Sequence, residues 1–312
     1  MKRAAAAFIG VLVLAAGVGF VVQWRRDAQL SALRPGGSYA TIDGRRIHYR
    51  LSGEGRYTFV LEAGLGDYSD SWKSLEKSFA QLGRTFVYDR AGLGWSDEGP
   101  APRSLGQIAD DLHRTLEVAG IHGPCILVGH SFGGMTQTFY ATRYPAEVAG
   151  LLLIDPSHKD QMKKLPNQPV MMTFLMTQLS RTAPFGIPQL LMHRSDPIVN
   201  QAKHVRTSGA ELRAFLYGAD PWDGRAIAFG RMPIYVLTAG TVPPIPGKTD
   251  AERKAFWQTI HDLHEQLVTA STSPIRRHEV IGGASHYIHG THPEAVIDAA
   301  RELLTRIEAA RR

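Results

Sequence analysis

The chain has 312 residues, 44% of them hydrophobic, and a formal net charge of +6. So much apolar sequence can bury a core, which excludes a disordered chain, and the scattered arginines and lysines form no block interleaved with aromatics, which excludes a nucleic-acid reader. The single cysteine, Cys125, permits no intramolecular disulfide and sits in an apolar run, so it reads as a buried thiol.

Residues 4–22 carry no charge and are flanked by Lys2 and Arg3 on one side and Arg25 and Arg26 on the other. That run approaches the roughly 20 residues a membrane-spanning helix needs. It also outlasts the apolar core of a signal peptide, usually about 7–15 residues. Residues 1–28 are therefore read as an N-terminal membrane anchor or signal segment, with an uncleaved single-pass transmembrane helix favoured over cleavage after Ala15 and Gly17. Lys2 and Arg3 favour a cytoplasmic N-terminus, which places the bulk of the chain outside the cytoplasm; the alternative is a secreted or periplasmic product.

Beyond a linker at residues 34–37, segments 39–42 and 46–51 alternate in polarity and are joined by Asp43-Gly44, a strong hairpin signal. Short apolar runs follow at 57–62, 85–88, 125–128, 148–154, 234–237 and 277–281, and helical patterns at 72–82, 104–119, 132–144 and 293–307 lie between most of them. Strands alternating with helices predict an α/β fold, a largely parallel sheet with helices on both faces. Residues 157–231 break the alternation, with amphipathic pieces such as 170–179 and 210–217 and no convincing strand. They read as a helical cap between two parts of an α/β core, 29–156 and 232–312. Ligands of open α/β sheets bind beyond the carboxyl ends of the strands, so a cap there covers the site.

The run "ILVGHSFGG" goes from an apolar strand into Ser131, with Gly129 and Gly133 on either side and a helix after it. This is the strand–turn–helix setting of a nucleophile elbow, in which a strained turn exposes the hydroxyl and only small neighbours fit. A serine attacks only if a base takes its proton and a third group orients that base. His286, in "GGASHYIHGTHPEAV" after the last strand, is the candidate base. His289 and His292 follow at a spacing of three, but the pattern matches no metal-ligand geometry, and His261 and His264 lack the spacing of a zinc helix, so no metal is assigned. For the acid, Asp155 at the end of "GLLLIDPSH" should emerge at the same sheet edge as Ser131; Asp250, Asp220, Asp223 and Asp262 stay open as alternatives. The backbone N–H groups of Leu65, in "LEAGLGDYSDSW", and of Phe132 are the candidate oxyanion donors.

On "GHSFGG", "YDRAGLGWSD", "LLLIDPSH" and "SHYIHGTHPEAV", in the order nucleophile, acid, histidine, the chain resembles the α/β-hydrolase fold superfamily over about residues 38–310. The resemblance implies a mostly parallel eight-stranded sheet, a cap after the sixth strand, no cofactor and a serine esterase-like activity on a small-molecule ester or related acyl substrate. Two departures stand out. The family's usual His-Gly before the oxyanion residue is Ala63-Gly64 here, preceded by Glu62, and Pro243 stands near the usual place of the acid after the seventh strand. Asp89 and Arg90 are read as structural, with Arg90 paired to Glu62. Acyl transfer, amide or peptide cleavage and perhydrolysis share the same triad, and a non-catalytic, membrane-anchored binding protein is the reading from another class. The apolar cap stretch "VMMTFLMTQL" (Met171, Met172, Phe174, Leu175, Met176) reads as core, as an acyl pocket or as a membrane-facing surface.

Overall fold

The computed structural model describes residues 2–33, 35–165, 170–191, 195–242 and 248–311. Eight strands form one sheet: β1 (Ser38–Ile42), β2 (Arg45–Ser52), β3 (Thr58–Glu62), β4 (Arg84–Tyr88), β5 (Cys125–His130), β6 (Val148–Ile154), β7 (Ile234–Ala239) and β8 (Arg276–Ile281). Their order is β1-β2-β4-β3-β5-β6-β7-β8. The hairpin β1–β2 is antiparallel and joins β4 antiparallel, and every later pairing is parallel.

The inner strands are buried on both faces, so they read as continuous apolar runs. Their side chains nevertheless alternate between two cores. Val60, Leu127, Leu151 and Leu153 face one core, whereas Phe59, Leu61, Ile126, Val128, Leu152 and Ile154 face the other. The first core takes Ile108, Leu112 and Leu116 from α3 (Leu105–Val118), Phe139 and Tyr140 from α4 (Phe132–Arg143), and Leu267 and Val268 from α9 (Asp250–Thr269). The second takes Leu75 and Phe79 from α2 (Lys73–Leu82) and Val296, Leu303 and Ile307 from α11 (Pro293–Ala309). Short α10 (Ile288–Thr291) leads into α11. Ser104 and Gln107 form a reciprocal cap at the start of α3, as do Thr249 and Glu252 at the start of α9, each satisfying otherwise orphaned N–H groups.

Between β6 and β7 run α5 (Gln161–Lys164), α6 (Val170–Ser180), α7 (Ile187–Leu191) and α8 (Ala202–Tyr217), here called the cap. The α8 helix starts eight residues before the predicted 210–217 piece because its buried face is polar: His204, Thr207 and Glu211 are all buried, so hydrophobic periodicity misses them. Those side chains hold the cap over the carboxyl ends of β3 and β4. His204 Nε2–H donates to the carbonyl of Gly66 (2.9 Å), its Nδ1 accepts from the N–H of Gly94 (3.1 Å), and Lys203 Nζ donates to the carbonyl of Ser96 (2.8 Å).

At the N-terminus, α1 (Lys2–Ser31) contains the segment Phe8–Ser31, the one helix among the described residues long and apolar enough to cross a membrane.

Candidate active site

Ser131 sits between β5 and α4 with φ 53° and ψ −121°, a conformation costly for a residue with a side chain. Its N–H donates to the carbonyl of Ile154 (3.0 Å) and its carbonyl accepts from the N–H of Ser157 (2.9 Å), so the turn is bound to the end of β6. The flanking glycines are a matter of space. A Cβ on Gly133 would lie 2.4 Å from the carbonyl oxygen of Glu62 and 2.5 Å from that of Ala63, and one on Gly129 would lie 2.5 Å from the carbonyl oxygen of Gly133.

Asp155 leaves the end of β6 at φ 43°, and its backbone N–H donates to the carbonyl of Leu237 (2.7 Å). One carboxylate oxygen accepts from the N–H of Ala239 (2.9 Å) and the other faces Nδ1 of His286 at 2.5 Å. Burial alone would push this carboxyl up, but the hydrogen bond from His286 and nearby imidazoles outweigh it and hold it below the usual carboxylate range. The far side of the His286 ring, Nε2, is 3.0 Å from Ser131 Oγ. A carboxylate only accepts, so Nδ1 carries the imidazole proton and Nε2 is the acceptor for the serine hydroxyl.

Two buried histidines, His130, which the sequence reading did not single out, and His264, which it weighed only to set aside as a zinc ligand, hold this chain of contacts in place. His130 Nε2–H donates to the carbonyl of His286 (3.0 Å), and burial, with His289 and His286 beside it, keeps its ring neutral well below the usual histidine range. His264 Nε2–H donates to the carbonyl of Pro156 (2.8 Å), next to Asp155, while Thr238 donates to its Nδ1 (2.7 Å); burial lowers its pKa to about 4. His130 occupies the free position of the G-x-S-x-G pattern, where no residue type is diagnostic. His264, set aside as a zinc ligand, is buried on the inner face of α9.

Leu65 lies in the loop after β3 and Phe132 opens α4, and among the described residues neither N–H meets an acceptor. The loop is tied from below by Arg90, which donates to the carbonyls of Ala63 (2.6 Å) and Gly64 (2.8 Å). Arg90 is also 3.6 Å from Glu62, but its closer partner is Glu211 of α8, unforeseen because a lone acid on a helix carries no sequence signal.

The other candidate acids lie elsewhere. Asp250 pairs with Arg253 at the exposed start of α9, Asp220 lies 3.5 Å from Lys159, Asp223 lies 3.4 Å from Arg225, and Asp262 accepts from Gln258 (2.8 Å). Pro243 lies outside the described residues. Buried His289 packs its ring on Trp72 at 4.8 Å, while His292 meets Thr291. No group of three or more His, Cys, Asp or Glu among the described residues is placed to hold a metal ion.

Two cavities adjoin these residues. One, of about 370 Å³, contains Ser131, Asp155 and His286 and is walled by Phe256, Trp257 and Ile260 of α9. The other, of about 230 Å³, lies between Leu65 and Gly66 on one side and the cap on the other, where Met176, Leu179, Pro188 and Leu212 line it. The side chains of Met171, Met172 and Phe174 lie outside the described residues, whereas Leu175 is exposed.

A family model described as "Alpha/beta hydrolase family" matches residues 59–299. The uncharacterized protein YqjL of Bacillus subtilis (strain 168) is 27% identical over 259 residues, covering 82% of this chain and 87% of that protein. A thermophilic esterase from Thermogutta terrifontis superposes with a TM-score of 0.57 at 21% identity, covering 88% of this chain and 99% of the other. An enol-lactonase from Burkholderia xenovorans LB400 does so with a TM-score of 0.56 at 19% identity, covering 86% and 99%. At these identities the structural likenesses establish the fold.

Proposed function

Because the chain belongs to the alpha/beta hydrolase family, we propose that it is a serine hydrolase that cleaves an ester or related acyl substrate through an acyl-enzyme. The observation that carries this reading is the single imidazole of His286, which lies 2.5 Å from Asp155 and 3.0 Å from Ser131. Ser131 Oγ attacks the substrate carbonyl as His286 Nε2 takes its proton. Asp155, ionised at neutral pH, fixes the tautomer and stabilises the imidazolium that forms. The N–H groups of Leu65 and Phe132 receive the oxyanion of the tetrahedral intermediate, and His286 returns its proton to the leaving alcohol. Water, activated by the same imidazole, then frees the acyl group from Ser131.

The wider cavity, beside His286 and walled by Trp257, suits the leaving group, because the protonated imidazole must reach it. The narrower one, beside Leu65, suits the acyl group, whose carbonyl oxygen the Leu65 amide would bind. On this reading α1 anchors the enzyme to a membrane.

A fluorophosphonate probe tests the proposal. The wild type should become covalently labelled at Ser131 and the Ser131→Ala variant should not. Equal labelling of both would take the nucleophile away from Ser131, and none of a folded wild type would leave a binding protein on the same fold.

A further inference from the structure

The cap and the N-terminal helix share an apolar surface that the proposed chemistry does not use. The carbonyl oxygen of Phe185 comes so near α1 that a Cβ on Gly19 would lie 2.5 Å from it, and the rings of Phe20 and Phe185 are 6.4 Å apart. Further along α1, Gln23 donates to the carbonyl of Asn200 (3.1 Å), Asp27 accepts from the N–H of Ala202 (3.1 Å), and Leu30 packs with Ile198 and Val199. The end of the helix is thus fixed to the cap, while its apolar body, from Phe8 onward, stands almost wholly exposed.

Depth follows from the helix rise. Gly19 and Phe20 precede Arg25 by five or six residues, or about 8–9 Å at 1.5 Å per residue. Cap residues level with them therefore lie on the bilayer side of the Arg25–Arg26 pair, at the depth of roughly 5–10 Å to which interfacial segments sink. Phe185 (42% exposed) is at that level, and the chain that follows it in the cap exposes Ile187 (42%), Leu190 (83%) and Leu191 (67%). The same short helix, α7, turns Pro188 and Gln189 inward to wall the cavity that ends at Leu65 and Gly66.

We propose that this face of the cap, centred on α7, seats in the same membrane leaflet that α1 enters, and that the cavity behind α7 takes the acyl chain of a lipid-borne ester. The occupant of the patch is a bilayer, because the patch continues the lipid-length apolar surface of α1. The substrate half rests on the serine hydrolase reading above; the docking half rests on α1 entering a membrane.

The test uses the full chain in phosphatidylcholine vesicles. Cys125 is buried, so Leu190→Cys can be labelled selectively with an environment-sensitive nitrobenzoxadiazole dye, with Val118→Cys on α3 as the control. The dye at position 190 should shift to the blue and be quenched by phospholipid brominated in its acyl chains; the dye at 118 should do neither. A water-like spectrum at 190, whether or not the chain floats with the vesicles, overturns the docking. In parallel, the Leu190→Asp/Leu191→Asp variant should keep turnover of a short water-soluble nitrophenyl ester within about 2-fold and lose at least about 10-fold on a long-chain ester carried in vesicles. Equal losses on both esters overturn the lipid route. Turnover of neither ester by the wild type overturns the hydrolase reading and the substrate half together, and leaves the docking to be decided by the dye.

Discussion

Arg90 and Glu211 meet side on, with Nε and Nη2 of the guanidinium donating to the two carboxylate oxygens at 2.8 and 2.9 Å. The pair joins the loop after β4 to cap helix α8, and both side chains are buried. Removing Glu211 leaves the buried guanidinium without its two-oxygen partner and with only Glu62, 3.6 Å away and costly to ionise, a loss of up to about 3–5 kcal/mol. Glu211→Ala should therefore lower the melting temperature by roughly 10 °C in a domain of this size. Arg90 also carries the carbonyls of Ala63 and Gly64, so kcat on a short ester should fall in the same variant. Calorimetry and ester kinetics on one preparation check both, and an unchanged melting temperature would show that the pair does not hold the cap.

Asp155 and Asp250 separate under the same substitution. Asparagine at 155 keeps the shape but loses the charge that selects the His286 tautomer, so kcat should fall by up to about 10⁴-fold. Asparagine at 250 alters only an exposed pairing with Arg253 and should leave kcat unchanged. A harmless Asp155→Asn beside a crippling Asp250→Asn would move the acid to α9.

The limits of sequence reading follow from the chemistry of each residue. The strands were legible because sheets buried on both faces need uninterrupted apolar runs, and Ser131 because its turn admits only glycine at the crowded neighbours. Asp155 was legible as the polar end of an apolar strand. The buried face of α8 was not, because His204 and Glu211 satisfy it with hydrogen bonds and an ion pair that no hydrophobic period records. Arg90 was paired with Glu62 as two strand ends meeting, and the two are 3.6 Å apart, but its closest carboxylate, Glu211, comes from a helix more than a hundred residues away.

Gly133→Ala tests the crowding directly. The added methyl would collide with two backbone carbonyls rather than with a side chain that can turn away. Overpacking of this kind costs typically about 1–3 kcal/mol. It would also push the β3 end, and with it the loop bearing Leu65, away from Ser131. The denaturation midpoint and kcat should fall together. A fully active, fully stable variant would refute the close approach of Gly133 to Glu62 and Ala63.

Glu62 predicts how stability changes with pH. It is buried beneath the loop that leads to Leu65, and burial raises its carboxyl from the ordinary 4.5 to about 7, with the charge of Arg90 opposing only in part. Arg90 is already matched by Glu211, so ionising Glu62 would leave one excess negative charge among the three. Between pH 4.5 and 7 the native chain holds a proton that the unfolded chain has released, so stability falls as pH climbs through that window. The contribution is fully present below the lower value, is lost above the upper one, and is on the order of 3 kcal/mol. Buried His264 and His289, both lowered to about 4, act in the opposite direction, since unfolding lets them bind protons below their ordinary value. The readout is therefore a difference between two chains. Glu62→Gln keeps the shape and stays neutral at every pH, so urea midpoints measured from pH 5 to pH 8 should fall more steeply for the wild type than for the variant. Parallel profiles would remove Glu62 as the titrating group.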